Sequence, residues 1–188
     1  MREYCLRKIE FDDLQLILRW RNEEKIRKNM FDDKMISWQE HLHWFEQLQK
    51  NSSKDCQLFC IDGNPIGIVN FSDIDETYRK QCVWGFYVGS DNAHRGSGLL
   101  LAYCSIEYVF SNYEIDRIIG KVISFNTPSI NFHKKLFFIE KEVLVDKIFR
   151  YGEYFDICIF ELEKNDWEFD KKNIYELAFN KLENNFDV

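Results

Sequence analysis

The sequence has few prolines, few glycines and no long apolar run. Only two prolines and eight glycines occur in 188 residues, so long disordered linkers are not expected. No run is long enough to span a bilayer, and no early segment combines the charged start, apolar core and cleavage site of a secretory signal. We therefore expect a cytoplasmic protein without a membrane partner.

Long basic runs are also missing. The formal net charge is -7, and no run of Lys and Arg exceeds two residues. Because nucleic-acid-binding domains usually carry a basic face, we expect no nucleic-acid partner. The six cysteines are scattered, and no Cys or His pair completes a zinc set, so we expect no metal and mostly buried free thiols. Aromatic residues are abundant at 16%, with 17 phenylalanines.

The apolar pattern predicts an α/β (α+β) fold, with a central mixed sheet flanked by helices. The predicted strands cover residues 4–11, a hairpin over 56–74, and residues 81–88, 117–124, 137–149 and 153–162. Helices are predicted after a cap at Asp12 or Asp13, after the Ser37/Glu40 capping box, from about residue 98 to 110, and after Thr127 with Pro128 in the first turn.

The chain length suits one domain, which we place at residues 1–164. Residues 165–188 form an acidic extension with helical spacing of Ile174, Leu177, Ala178 and Leu182. Packing on the domain, formation of a homodimer and fraying all remain open for this extension.

A glycine-containing turn between a predicted strand and a predicted helix is the first candidate binding site. The N–H groups at a helix start attract anions, and glycine lets the backbone approach a ligand closely. Gly96 and Gly98 supply the glycines here, and His94 and Arg95 add donors. A Walker loop is excluded because the Gly-Lys-Ser/Thr ending is missing, and a dinucleotide fingerprint lacks its third glycine at Leu101.

Two motifs resemble those of the GNAT (Gcn5-related) N-acetyltransferases. "RGSGLL" resembles the Arg/Gln-x-x-Gly-x-Gly/Ala signature, with Arg95 and Gly98 on its first two fixed positions. "NTPSINFHKKLFF" resembles the second motif, with matches at Asn126, Ser129, Ile130, Lys135, Leu136 and Phe138. The resemblance follows the element order over roughly residues 1–162. It implies the GNAT fold and an N-acetyltransferase that uses acetyl-CoA.

The resemblance also implies the residues that hold acetyl-CoA. They are Tyr87, Val88, His94, Arg95, Gly96, Ser97, Gly98, Leu99, Leu100, Asn126, Ser129, Asn131, Phe132 and Lys135. In this family a backbone amide of the preceding strand polarises the acetyl carbonyl, which places Tyr87 and Val88 near the pantetheine.

The sequence departs from the family pattern at three positions. Leu100 replaces a small residue, which we expect to crowd one side of the pyrophosphate loop, and Phe137 replaces a glycine. His133 replaces the tyrosine that protonates the leaving thiolate in the family, so the resemblance implies His133 as the catalytic acid. The alternative is a partly buried helix residue without a catalytic role.

No carboxylate lies on the strand where the family often has its base, because the corresponding position is about Val83. Asp73, Asp75, His41 and a chain of solvent molecules remain alternatives for this role.

The N-terminal part resembles GNAT enzymes that acetylate nucleotide-linked amino sugars. The resemblance rests on Trp20-Arg21-Asn22, Met30-Phe31 and the run from Glu40 to Phe45. It implies acetylation of the 4-amino group of a UDP-linked amino-deoxy sugar, as in the pseudaminic-acid biosynthesis that precedes flagellin glycosylation. The implied acceptor residues are Arg21, Met30, Phe31, His41, Trp44 and Asp73, with Arg79 and Lys80 as further diphosphate candidates.

Other interpretations of the same residues remain. Trp38, Leu42 and Phe45 share one helix face and fit a core stripe, whereas His41 and Trp44 are offset from that face. A protein N-terminal acetyltransferase of the ribosomal-protein type, another nucleotide-amino-sugar acetyltransferase and a non-catalytic acyl-CoA-binding module are the alternative functions.

Overall fold

A mixed sheet with helices on its faces forms the molecule, as the sequence predicts. The computed structural model describes residues 3–183, with side chains of the last helix described through residue 179. Within these residues the sheet has seven strands: β1 (Tyr4–Lys8), β2 (Asp55–Ile61), β3 (Asn64–Asp75), β4 (Gln81–Val88), β5 (Arg117–Ile123), β6 (Ile139–Arg150) and β7 (Glu153–Glu163). Their spatial order is β1-β2-β3-β4-β5-β7-β6.

Six helices connect or follow the strands in the described part of the chain. They are α1 (Leu14–Asn22), α2 (Glu24–Arg27), α3 (Trp38–Lys50), α4 (Ser97–Asn112), α5 (Thr127–Lys135) and α6 (Lys164–Glu183). The capping box at the start of α3 is present, since the Ser37 side chain accepts from the Glu40 amide. Proline lies in the first turn of α5. Both predictions of helix starts are therefore confirmed.

The first strand is shorter than predicted. It ends at Lys8, and Phe11–Asp13 form a 3₁₀ turn instead of continuing the strand. The carboxylate of Asp13 accepts from the Glu10 amide at 2.9 Å and from both terminal nitrogens of Arg7 at 2.7 and 2.8 Å. These contacts turn the chain into α1, and local apolar alternation cannot reveal them.

The sheet opens between its two parallel strands. Parallel pairing of β4 with β5 runs from Gln81 opposite Arg117 to Trp84 opposite Gly120. Beyond these pairs β4 continues to Val88 and β5 to Ile123, and within the described strands they do not pair with each other. All other neighbouring strands are antiparallel. The V-shaped opening leaves main-chain groups of β4 without a strand partner on that side.

Two apolar clusters cover the two faces of the sheet. Alternate residues of β2 show the division, since Phe59 and Ile61 pack with α4 residues and Leu58 and Cys60 pack with α1 residues. This period of two is what an antiparallel strand buried on both faces requires. The helices α1 to α3 therefore lie on one face, and α4 lies on the other.

The C-terminal helix packs on the domain. Trp167, Ile174 and Ala178 of α6 are buried in the same cluster as α4, and the Trp167 indole donates to Glu107 at 2.6 Å. The described residues of the extension therefore show packing on the domain, which is one of the three options that the sequence left open. Residues 184–188 lie outside the described residues. No helix in the described range is both long and apolar enough to cross a membrane.

Candidate active site

A cavity of about 910 Å³ lies where β4 and β5 separate. Residues of α1, the α2–α3 connection and α3 form one wall, and residues of β5 and α5 form the other. Strands β3 and β4 contribute the floor between these walls. The fold therefore brings the N-terminal runs and the second predicted motif to one space.

The start of α4 lies beside this cavity. Gly96 precedes the helix with a φ of 102°, a left-handed value that favours glycine. A side chain at Gly98 would meet only Val88 Cγ2, at 3.6 Å, and Val88 lines the cavity. Packing within the protein thus leaves room for a side chain at Gly98. The Ser97 hydroxyl is buried and has no hydrogen-bond partner among the described residues.

The residues around Gly98 divide between the loop surface and the core. His94 and Arg95 are exposed, whereas Leu99 and Leu100 are buried. Leu100 is 1% exposed and packs in the cluster beneath α4, so its side chain does not crowd the loop surface. The sequence-based expectation of crowding is wrong, because the first turn of the helix points Leu100 inward.

The second motif forms α5 and its ends. Asn126 accepts from the Ser129 amide at 3.2 Å as the helix cap, and Asn126, Ser129 and Phe132 line the cavity. Asn131 and Lys135 lie on the exposed face of α5 and are not in the cavity lining. Phe137, where the family has glycine, follows α5 with a left-handed φ of 64°. The backbone there keeps the conformation that glycine would favour.

His133 is held in an aromatic cluster between α5 and the sheet. Its ring is 4% exposed, lies 5.2 Å from the Phe160 ring in a stacked arrangement, and contacts Trp84 and Phe138 edge-on. Its Nδ1 lies 2.8 Å from the Ser129 carbonyl oxygen, and the Trp84 indole donates to its Nε2 at 3.3 Å.

Burial lowers the pKa of His133 below its ordinary value, and the hydrogen bond to Ser129 opposes that shift. The lowered pKa favours the neutral ring, and both ring nitrogens have protein partners. His133 also lines the cavity. Its hydrogen bonds favour the alternative of a structural role, and the acid role of His133 stays a prediction.

Five of the six predicted acceptor residues line the cavity. They are Arg21, Met30, Phe31, His41 and Trp44. Asp73 is exposed at the irregularity of β3, and it is not in the lining. The further candidates Arg79 and Lys80 are also exposed and outside the lining.

Of the candidate bases, His41 alone lies at the cavity. Asp75 accepts from the amides of residues 77, 78 and 79, which holds its carboxylate in a turn and lowers its pKa to about 2. His41 stacks on Trp44 at 5.0 Å, and its Nε2 is buried without a partner in the described part of the chain. Burial lowers the pKa of His41, so its neutral form is favoured.

Comparisons with known proteins agree with this geometry. Residues 6–159 match the model of the acetyltransferase (GNAT) domain. The chain belongs to the GNAT family. It is an N-acetyltransferase, and its acyl donor is acetyl-CoA.

Among curated proteins, this GNAT enzyme is 28% identical to the acetyltransferase PseH of Campylobacter jejuni over 65% of its own chain and 74% of PseH. It is 29% identical to the SPbeta prophage-derived uncharacterized N-acetyltransferase YokL of Bacillus subtilis, over 65% of this chain and 68% of YokL.

Among solved structures, it superposes on spermidine N-acetyltransferase from Vibrio cholerae, in complex with CoA and spermine, with a TM-score of 0.81. The two sequences are 19% identical, and the superposition covers 88% of this chain and 98% of the Vibrio cholerae chain. The structural likeness shows the fold.

The three residues Trp20, Arg21 and Asn22 of this GNAT enzyme make different contacts. Trp20 is buried, and a Cβ at Gly89 would lie 2.1 Å from its ring, so glycine is required there. Arg21 lines the cavity. The Asn22 amide group donates to the Ile36 carbonyl and accepts from the Ile36 amide, both at 2.8 Å. The run therefore anchors the wall that contains Arg21.

Sequence reasoning missed the cavity residues on the central strands. Asn70 and Ser72 of β3, Trp84 and Phe86 of β4, and Lys121 of β5 all line the cavity. The Asn70 amide also donates to the Gly85 carbonyl at 2.7 Å across the two strands. Alternation on β4 gives the signal that could have found Trp84 and Phe86, but only the tertiary structure shows that they line a cavity.

Proposed function

We propose that this enzyme acetylates the 4-amino group of a UDP-linked amino-deoxy sugar by direct transfer from acetyl-CoA in the cytoplasm, as in pseudaminic-acid biosynthesis. The observation that carries the proposal is the acceptor wall of the cavity. It joins a half-buried guanidinium, that of Arg21, to the apolar faces of Met30, Phe31 and Trp44.

The charges around the cavity favour an acceptor that contains an anion. Arg21, Lys25 and Lys121 line it, against the single carboxylate of Glu40 among its described lining residues. Lys25 pairs with Glu23 and Asp91. Because these two carboxylates offset Lys25, the excess positive charge at the cavity rests on Arg21 and Lys121, and it disfavours a polycationic acceptor such as spermidine.

Arg21 is the cation best placed for a diphosphate. Its Nη2 donates to the Asp32 carbonyl at 2.7 Å, and its Nη1 has no partner among the described residues. Burial lowers its pKa, Tyr87 and Asp32 oppose this shift, and nearby Arg27 and Arg150 add to it, although a guanidinium remains charged. An anionic ligand would relieve this repulsion and supply the missing acceptor.

The apolar part of the same wall suits a planar base. Phe31 is 46% exposed at the cavity edge, and Trp44 stacks on His41 beside it. Aromatic and thioether groups bind a flat ring by stacking and dispersion. A uracil ring against Met30 and Phe31 would leave the diphosphate near Arg21 and direct the sugar toward β4.

The α4 end fits the CoA diphosphate. A Cβ at Gly98 would meet only Val88, and the buried Ser97 hydroxyl and the amides of the first helical turn lie there. The Ser97 amide donates to the His94 carbonyl, and the Leu99 and Leu100 amides donate to the Gly96 carbonyl. A helix start with such groups binds phosphate through N–H donors and the helix dipole. The main chain of Tyr87 and Val88 would lie along the pantetheine, where β4 lacks β5 as a partner.

Bound acetyl-CoA supplies the acetyl group as a thioester. The residues of the acceptor wall orient the sugar so that its neutral amine faces the carbonyl carbon, and a β4 amide polarises the carbonyl oxygen. As the N–C bond forms the C–S bond breaks, and one proton is lost from nitrogen while one is gained by sulfur.

Mass spectrometry of the products tests the proposal. The enzyme is incubated with acetyl-CoA and one acceptor at a time. The acceptors are a UDP-4-amino sugar, a dTDP-4-amino sugar, spermidine and a peptide with a free amino terminus. We expect one added acetyl group on the UDP sugar. Acetylation of the peptide alone would favour the protein N-terminal alternative, and acetylation of spermidine alone would contradict the charge argument.

Arg21→Gln provides a second arm of the test. We expect KM for the UDP sugar to rise by about tenfold or more, because charged hydrogen bonds to a phosphate are lost, with KM for acetyl-CoA unchanged. Arg19→Gln is the matched control, since Arg19 lies on the exposed side of the same helix and outside the cavity lining. Equal effects of the two variants would remove Arg21 from the acceptor site.

A further inference from the structure

A buried arginine from the far edge of the sheet reaches the acceptor wall. Arg150 is the last residue of β6 and is only 8% exposed. Its Nη1 donates to the Lys28 carbonyl at 2.9 Å, and its Nη2 donates to the carbonyls of Met30 and Phe31, the latter at 2.9 Å. Its Nε lies 3.6 Å from the Asp33 carboxylate. One side chain thus binds four residues of the loop 28–33.

The 28–33 loop has little regular structure of its own. It follows α2, which is only four residues long, and precedes α3. Arg21 and Arg27 donate to the carbonyls of Asp32 and Asp33. Those two arginines come from the helices next to the loop, whereas Arg150 comes from the β6–β7 hairpin at the opposite end of the sheet order.

The contacts of Arg150 fall on the two loop residues that form the acceptor wall. Met30 and Phe31 line the cavity, and their carbonyls accept from Arg150. Arg150 itself is not in the cavity lining. A contact effect of Arg150 on the acceptor therefore passes through these two residues, and Arg150→Lys, which keeps the positive charge, separates this effect from the charge effect of Arg150 on Arg21.

A buried guanidinium is costly unless its donors are paired. Here several donors of one guanidinium engage carbonyls, which is a geometry that the planar fork of arginine provides and a lysine ammonium does not. The hairpin and the loop are consequently fixed to each other beside the acceptor wall.

We propose that Arg150 is a positioning residue that fixes Met30 and Phe31 for the acceptor. It makes acceptor binding depend on the β6–β7 hairpin while leaving the acetyl-CoA side untouched. The inference rests on the proposed function, since it takes the wall that contains Met30 and Phe31 as the acceptor site.

The test compares Arg150→Lys, Arg150→Met and the control Arg117→Lys. Arg117 pairs with Glu163 at 2.6 Å on β5, and the same substitution there leaves the 28–33 loop untouched. Hydrogen exchange of the enzyme without substrates reports on the loop, and steady-state kinetics report separately on the two substrates.

We expect faster exchange confined to residues 28–36 in Arg150→Lys, and about a tenfold rise in KM for the UDP sugar, because charged hydrogen bonds to the loop are lost. The values of kcat and of KM for acetyl-CoA should change less than twofold. Arg150→Met should show the larger effect; if it fails to fold, Arg150→Lys decides the question.

Three results would overturn the proposal. They are unchanged exchange of residues 28–36, a parallel rise in both KM values, and the same pattern in Arg117→Lys. The exchange measurement needs no acceptor, so it tests the positioning role of Arg150 independently of the proposed function. If no UDP sugar is acetylated but exchange rises locally, the proposed function fails, and Arg150 still positions the loop for whichever amine the panel identifies.

Discussion

Replacement of His133 by phenylalanine distinguishes a catalytic acid from a buried structural residue. Phenylalanine keeps the ring shape and removes both nitrogens. Because the Trp84 indole donates to Nε2, the ring proton resides on Nδ1, where it is donated to the Ser129 carbonyl. An acid would need a proton that is free to move toward sulfur, and this hydrogen-bond pattern gives His133 none in its neutral form.

The expected magnitude follows from those two hydrogen bonds. His133→Phe leaves the Trp84 N–H without its acceptor, and an unsatisfied buried donor costs about 1–3 kcal/mol of unfolding free energy. The aromatic contacts with Phe138 and Phe160 are retained by the new ring. We therefore expect a loss of stability of about that size and a much smaller change in acetyl-CoA affinity.

The pH dependence gives a second signature. Burial lowers the folded-state pKa of His133, so below the ordinary value of about 6.5 the unfolded chain binds more protons than the folded enzyme. Stability is complete above that pH and falls as pH decreases toward the folded-state pKa. Each histidine with a lowered pKa contributes up to about 1.4 kcal/mol per pH unit to the slope of unfolding free energy against pH. His133→Phe removes the contribution of His133, and the contribution of His41 remains.

Urea unfolding followed by tryptophan fluorescence between pH 7.5 and 5.5 measures both effects, with acetyl transfer assayed in parallel. His43→Phe is the control, because His43 is exposed on α3. If His133→Phe keeps its stability and its full pH slope but loses turnover by about a hundredfold or more, the structural reasoning is refuted and the acid role is supported.

Two glycine substitutions give further predictions. Gly98→Ala should change unfolding free energy by less than about 0.5 kcal/mol, since its Cβ meets only Val88 at 3.6 Å, but should raise the Kd for CoA in calorimetry. An unchanged Kd would mean that no ligand approaches Gly98. Gly120→Ala places a Cβ 2.5 Å from His133 Nε2 and should cost about 1–3 kcal/mol in urea unfolding. A neutral result would show that the His133 ring can move aside.

Local sequence features predicted several elements closely. The Ser37 and Glu40 side chains cap α3 as predicted, and β6 and β7 are separated at Tyr151 and Gly152, between the predicted strands 137–149 and 153–162. Such elements depend on residues three or four positions apart, so one short window of sequence contains their cause. The end of β1 was misplaced because the Arg7–Asp13 pair, rather than apolar alternation, turns the chain there.

The candidate site was predicted less evenly, for a related reason. Five acceptor residues line the cavity, but Asp73 does not, because an irregularity in β3 leaves its side chain exposed. The contacts of Arg150 with the 28–33 loop join residues more than a hundred positions apart. No spacing rule relates such residues, since they meet only after the sheet has formed.

The sequence by itself determined the family motifs, the order of strands and helices, and the chemical types of residue available for acetyl transfer. The tertiary structure decided which of those residues share a cavity, through the separation of β4 from β5 beyond Trp84. It also decided that His133 lies with both nitrogens engaged. Burial and hydrogen-bond partners are properties of the packed chain, so the same residue type can serve as an acid or as a support.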